Sequence, residues 1–261
     1  MSTHFPHAVA RLRQARLASA AKPFVARGSG QGRCEQCRLF MPQCLCNWRP
    51  QVQSRSGVCL IMGDIEAIKP SNTGWLIADV VPDTFAFGWS RTAVDPALLA
   101  LLADPQWAPC VVFPGEFVEA TRVISALPTD WLARPDAAVP SGPKPLFVLL
   151  DGTWTEARKM FRKSPYLDRW PVLSLQPEAA SRYRLRRAYR ADHLCTAEVA
   201  ALCLAMAGDV HAAHTLSAYF EVFTAHYLSG KGVQRLDLND EAHQALSELA
   251  SPRFQASPGR L

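Results

Sequence analysis

The 261-residue chain has no run of apolar residues approaching the length of a membrane span, so no membrane role is expected. Its basic N-terminus has neither an apolar core nor a small-residue cleavage site, and no secretory signal is expected from it. There is no G-x-G-x-x-G and no G-x-x-x-x-G-K-[ST], so the usual dinucleotide and P-loop readings lack support. No internal repeat is visible. A strong excess of one charge is also missing: the net charge is +5, which says little, although the cations are clustered. Eight cysteines would suit disulfides in a secreted chain, but the length, the missing signal and a tight cluster of four point to reduced thiols in the cytoplasm.

What the chain does have is a length sufficient for a full core and a central strand–turn–helix unit. Residues 146–150 form a short apolar run of the kind found in buried parallel strands. The run stops at Asp151-Gly152, and Thr153 and Glu156 then have the spacing of a capping box opening a helix. Arg158, Lys159, Arg162 and Lys163 give that helix a basic face. An acid, a glycine, a helix N-terminus and the Trp154 ring therefore meet at one strand end, where open α/β sheets hold ligands.

Other strand candidates are residues 58–62, 84–87, 110–113 and 172–175, interleaved with helices at 75–80 and 96–102 and with one that residues 194–198 lead into. In the last of these Val199, Leu202, Cys203 and Met206 make a helical apolar stripe, with Thr196 as the expected N-cap. Further helices are expected at 8–20, 209–228 and 239–250, the last capped by Asn239. Among the histidines of 209–228, packing or exposure is the expected fate rather than metal ligation. The five prolines of 128–145 read as a long surface loop or lid. Strands alternating with helices give the fold class: α/β, a mostly parallel sheet with helices on both faces. The expected divisions are 1–55, a basic helix and cysteine module; 56–230, the main domain; and 231–261, a last helix and tail.

Cys34, Cys37, Cys44 and Cys46 follow C-x2-C-x6-C-x-C, a density of thiolates that suits a closed, structural zinc site, with unrelated thiols or a redox pair as the competing readings. Cys59, Cys110, Cys195 and Cys203 sit in apolar contexts and are expected to be buried and inert. Asn72 or Thr73 would cap the 75–80 helix, either as a plain turn or as a place for a polar ligand group. Residues 181–190 pack five arginines and two tyrosines, which suits an RNA backbone and unstacked bases or, less specifically, a basic surface strand. Arg11, Arg13 and Arg16 are either a solvated helix face or a phosphate-contacting arm.

Taken in order, the four cysteines, residues 71–74, Phe113-Pro114-Gly115, residues 151–154, the 181–187 segment and residues 195–198 resemble the DTW-domain family of tRNA-uridine aminocarboxypropyltransferases. The resemblance spans roughly residues 30–210. It implies a SPOUT-like domain with a trefoil knot that holds S-adenosylmethionine in a bent pose, and transfer of the 3-amino-3-carboxypropyl group to N3 of a tRNA uridine, releasing methylthioadenosine. Carried onto this chain, Asn72, Thr73, Gly74, Phe113, Pro114, Gly115, Leu149, Leu150, Gly152, Thr153, Leu194, Cys195, Thr196 and Glu198 would hold the co-substrate. Asp151 would act as base or orienting group, the alternative being a residue that ties down the helix entrance. Trp154 would stack on a base or face the sulfonium, or else pack in the core. Thr196 and Glu198 would bind ligand or only cap. Arg158, Lys159, Arg162, Lys163, Arg182, Arg184, Arg186 and Arg187 would follow the tRNA. A cytoplasmic monomer with no obligatory protein partner is favoured. The competing functions are a SPOUT-type RNA methyltransferase and a non-enzymatic zinc-containing RNA-binding protein.

Overall fold

The computed structural model describes residues 6–20, 24, 32–132, 142–175 and 194–250. Among these, six strands form one all-parallel sheet: β1 (Gly57–Met62), β2 (Thr84–Gly88), β3 (Trp107–Val112), β4 (Val123–Ile124), β5 (Lys144–Asp151) and β6 (Val172–Leu173). Their order is β2-β1-β5-β3-β6-β4. Helices are α1 (Ala8–Ala18), α2 (Gly74–Val80), α3 (Pro96–Ala103), α4 (Trp154–Arg162), α5 (Thr196–Met206), α6 (Val210–Gly230) and α7 (Glu241–Leu249). Residues 176–193, with Arg182, Arg184, Arg186 and Arg187, lie outside the described residues, and the described ones do not trace the expected trefoil knot. Of the proline-containing stretch, residues 133–141 lie outside as well.

Both sheet faces are covered, and the period-2 geometry of a strand assigns the residues. Val58, Leu60 and Met62 of β1, with Phe147 and Leu149 of β5, enter one core with α2, α5, α6 and the cysteine module. Cys59 and Ile61, with Leu146 and Val148, enter the other with Leu98 and Leu102 of α3 and Ala157 of α4. Double burial is why these strands read as continuous apolar runs. All seven residues of α2 are buried, so packing holds it where its length would leave an isolated helix unformed.

The strand order makes the site. From β1 the chain moves outward to β2, and from β5 it moves the opposite way to β6. β1 and β5 are neighbours in register, with Met62 opposite Asp151. Between their carboxyl ends lies the switch point at which parallel sheets open a crevice.

Three expectations are corrected. The N-cap of α5 is Cys195, and Thr196 is the first helical residue with its hydroxyl used elsewhere. The N-cap of α7 is Asp240, whose carboxylate accepts from the His243 N–H, rather than Asn239. Instead of one stripe, α5 is buried on most sides: Ala197, Ala200, Ala201 and Leu204 join Leu202 and Cys203, while Val199 and Met206 are only half-buried. Its small alanines let it lie in the middle of the layer, where periodicity carries no signal.

α1 packs along β2, with Arg16 paired to Asp64 and Arg11 donating to the Pro6 carbonyl at 2.6 Å. Its cap is His7, whose Nδ1 accepts the Ala10 N–H at 3.2 Å while Nε2 faces Asp79 at 3.3 Å. Burial holds the His7 imidazole below its ordinary pKa, with Asp79 pulling the other way. Unfolded chains take up a proton near pH ~6.5 that the native state refuses. The His7 contribution is therefore complete above pH ~6.5 and is lost as pH falls through that value toward the lower native pKa. Asparagine caps without titrating there, so His7→Asn should lose less stability than the wild type between about pH 7.5 and about pH 5.5, read as the urea midpoint. Equal losses in the two proteins would discount His7.

His226 of α6 is packed in the interior. Its Nδ1 reaches the Gln43 carbonyl at 3.0 Å and its Nε2 the His243 Nε2 at 3.1 Å, and His243 Nδ1 meets Asp240 at 2.6 Å. That chain fastens α6 and α7 to the cysteine module.

Candidate active site

Asp151 ends β5 and is 4% exposed among the described residues. Each of its oxygens accepts one hydrogen bond: Oδ2 from Asn72 Nδ2 at 2.7 Å and Oδ1 from the Thr196 hydroxyl at 2.6 Å. The carboxylate thus brackets the loop before α2 and the first turn of α5 against the end of the central strand. Burial raises its pKa, and the bonds from Thr196 and Asn72, with Lys69 and Arg38 farther off, pull against that rise.

Asn72 uses its other end to accept the Trp75 N–H at 3.1 Å, so it supplies the capping bond of α2 although Thr73 holds the N-cap position. The Thr73 hydroxyl meets the Ala197 N–H at 3.4 Å, joining α2 to α5 a second time. A Cβ at Gly74 would stand 2.8 Å from Asp151 Oδ2 and 3.2 Å from Asn72 Oδ1, so only glycine lets α2 start this close to the carboxylate. Glu198 is committed to a cap, accepting the Cys195 N–H at 2.7 Å, and burial pushes the Cys195 thiol up to about 12. Leu194 is exposed.

The structure divides the candidate residues into two groups. Asn72, Thr73, Gly74, Asp151, Cys195, Thr196 and Glu198 converge as described. Of Phe113, Pro114 and Gly115, which follow β3, Phe113 belongs instead to an aromatic stack on the other sheet face, while Pro114 and Gly115 are half-buried in the turn behind it. Phe113 lies parallel to Phe161 at 4.3 Å and to Trp154 at 5.5 Å, and the Gly115 N–H donates to Ser174 Oγ at 3.0 Å. Leu149 is a core side chain, so it can serve a ligand only through its backbone, and Leu150 packs on the opposite face. Thr153 makes the capping box with Glu156, its N–H donating to Glu156 Oε2 at 2.8 Å and its hydroxyl accepting the Glu156 N–H at 3.3 Å. Gly152 leads into that cap.

Trp154 is 41% exposed and tilts against Phe117, itself 39% exposed. The Arg158 guanidinium lies 4.7 Å over the Phe117 ring. Lys159, Arg162 and Lys163 are exposed on the same helix, while Ala157 and Met160 face inward. The basic face read in the sequence is therefore real, and it adjoins two solvent-facing rings.

Two further residues near the site lie outside the candidate set. Glu66 is buried in the single turn Glu66–Ile68 and forms an ion pair with Lys69. Burial raises its pKa, with Asp151 adding to the rise. Phe117 follows the turn at Pro114-Gly115 and carries no periodic signal. The Gly63 N–H donates to the Asp151 carbonyl at 2.8 Å, carrying the β1–β5 pairing one residue past Met62, just ahead of Glu66.

Apart from this crevice, the sulfurs of Cys34, Cys37, Cys44 and Cys46 all lie within 4.8 Å of one another. Cys34–Cys46 and Cys37–Cys44 are 3.5 and 3.8 Å apart. Tetrahedral zinc with Zn–S bonds of ~2.3 Å sets its sulfurs ~3.8 Å from one another, so the four can hold a zinc ion in a closed site. All eight cysteines are free thiols, with Cys59, Cys110 and Cys203 buried in the sheet and α5. Among the described residues no helix is long and apolar enough to cross a membrane.

No solved structure matches this chain. The model of the DTW domain matches residues 31–228, from the cysteine module through most of α6 and thus across every part of the crevice. That span shows that the chain belongs to the DTW-domain family, which is associated with tRNA-modifying enzymes.

Proposed function

We propose that this protein is a tRNA-uridine aminocarboxypropyltransferase. The observation that carries the reading is the bracketed carboxylate at the sheet's switch point, Asp151 held by Asn72 and Thr196, inside a match to the DTW domain that covers the whole crevice. A buried acid with two polar partners is an unusual thing to place at a strand end unless a ligand meets it there. S-adenosylmethionine supplies a sulfonium leaving group, so alignment is expected to carry much of the catalysis. The backbone of residues 149–152 and 194–196 would cradle this co-substrate, with Asn72, Thr73 and Gly74 closing one side. The backbone of the turn at Phe113, Pro114 and Gly115, which follows β5's neighbour β3, would bound the other, while the Phe113 ring stays in its stack on the opposite face.

Uridine N3 must shed its proton as it attacks the propyl carbon. Asp151 is the base in this reading: burial raises its basicity, and each oxygen keeps a lone pair beyond the bond it already accepts. Trp154 and Phe117 offer faces on which an unstacked base can lie, and Arg158, Lys159, Arg162 and Lys163 would follow the phosphate backbone. Residues 181–190 would extend that track. The zinc site has no open position and would serve structure. We take the protein to act as a monomer in the cytoplasm.

The test is incubation with S-adenosylmethionine and unmodified tRNA, followed by mass analysis of nucleosides and of the small product. Methylthioadenosine with an aminocarboxypropyl-uridine is expected. S-adenosylhomocysteine would instead make the protein a methyltransferase, and tRNA binding with no heat on adding S-adenosylmethionine would make it a binding module.

A further inference from the structure

Arg38 follows the Cys34-x2-Cys37 pair, at a position where the backbone must turn sharply. Its φ is +67°, the one non-glycine residue among those described with a positive value. The left-handed conformation costs a side-chain-bearing residue about 1–2 kcal/mol, which glycine would avoid. The side chain that takes this strained position is 2% exposed. It does not lie idle in the core. Nη1 donates to the Lys69 carbonyl at 2.7 Å and Nη2 to the Asn72 carbonyl at 3.3 Å, while the guanidinium lies 4.0 Å over the Trp75 ring. Lys69 and Asn72 bound the loop that leads into α2. Asn72 is the residue whose amide grips Asp151 and whose oxygen caps α2.

The other end of Arg38 is equally fixed. Its N–H donates to the Cys34 carbonyl at 2.8 Å, its carbonyl accepts from Arg33 Nη1 at 3.0 Å, and Cys34 N–H reaches the Leu39 carbonyl at 2.8 Å. The cysteine turn therefore aims this one side chain, and an unbroken path of hydrogen bonds runs from the Cys34 backbone through Arg38 and Asn72 to Asp151.

We propose that Arg38 is a positioning residue through which metal held by Cys34, Cys37, Cys44 and Cys46 sets the 69–72 loop, so that the zinc module organises the crevice as well as the fold around it. Lysine cannot substitute, because it has neither the fork that spans two carbonyls nor the flat face that stacks on Trp75. Metal loss would free the Cys34–Cys37 turn, relax the strained backbone at Arg38 and release both carbonyls together.

The test compares amide hydrogen exchange by mass spectrometry in zinc-loaded wild type and zinc-loaded Arg38→Lys. At equal zinc content, amides of residues 69–75 should exchange about tenfold faster in the variant, a mid-range value for coupled sites. Cys37→Ser should speed the same segment while also losing the metal. Unchanged exchange at 69–75 in zinc-loaded Arg38→Lys would overturn the proposal. If that variant does not fold, wild-type protein titrated with zinc gives the same reading: protection at 69–75 rises in step with metal occupancy, and protection that stays flat overturns it.

A second arm rests on the proposed function. Arg38→Lys should weaken S-adenosylmethionine about tenfold and leave tRNA affinity unchanged, and in Asn72→Ala the same change should have no further effect. A general loss of structure would instead weaken both ligands and add to Asn72→Ala, which would count against the link. Wild-type protein that ignores S-adenosylmethionine would sink the function and leave the exchange arm to decide this inference.

Discussion

Asp151→Asn should slow transfer by about 10²–10⁴-fold, the usual worth of a general base, and should weaken S-adenosylmethionine binding by about tenfold at the same time. The two effects have separate causes. As a base, the residue loses its proton-accepting oxygen. As a bracket, it now offers an NH2 group to one of two hydrogen-bond donors, the Asn72 amide and the Thr196 hydroxyl. Asn72 cannot turn its amide round to compensate, because its oxygen is already accepting the Trp75 N–H. The half-buried Thr196 hydroxyl can rotate to accept from the new NH2, so a charge-assisted bond is exchanged for a neutral one with the donor reversed, at a cost of about 1 kcal/mol. Rate constants at saturating substrate and binding by calorimetry divide the outcome. Weakened binding with an unchanged maximal rate would leave Asp151 as a bracket only and remove it from the chemistry.

Cys37→Ser should abolish zinc binding at the four-cysteine cluster and lower the melting temperature of the zinc-loaded protein by about 10 °C. A closed four-thiolate zinc site yields ~10–16 kcal/mol in isolated fingers. Even ~4 kcal/mol of that, at ~2–4 °C per kcal/mol for a domain of this size, gives the predicted shift. Here the module is no appendage: Cys37, Leu39 and Leu45 lie in the same core as α6 and the first sheet face, so its loosening reaches the sheet. Metal content by plasma emission and unfolding by calorimetry check the result. A metal-free variant that melts with the wild type would make the cysteines incidental.

The local signals in this chain were readable because their partners are close in sequence. Thr153 and Glu156 stand three apart and form the capping box their spacing implies. The cysteine cluster lies within thirteen positions, and its sulfurs meet. The strand candidates at 58–62 and 146–150 were legible from continuous apolarity, and both are buried on two faces. What could not be read was pairing at a distance. Asn72 and Thr196 meet Asp151 across separations of 79 and 45 residues, and no periodicity reports that. Thr196 looked like a cap for the same reason: a threonine before an apolar helix has that default role, and only the tertiary fold diverts its hydroxyl. Arg38 was hidden more completely, since an arginine in a basic, cysteine-rich turn reads as surface charge and this one is buried.

The strand order has a consequence for how the protein is made. β5 lies between β1 and β3, both of which precede it in the chain. A ribosome therefore releases β1, β2, β3 and β4 before the middle slat of the sheet exists, and the partners on either side of it must wait with unsatisfied amide edges. Parallel pairing across such separations is slow, so this interval is the period of greatest aggregation risk. It also sets an order of events. Because the acid of the crevice sits on the last residue of that slat, a nascent or half-assembled copy has no working centre, and competence arrives only when the whole sheet closes.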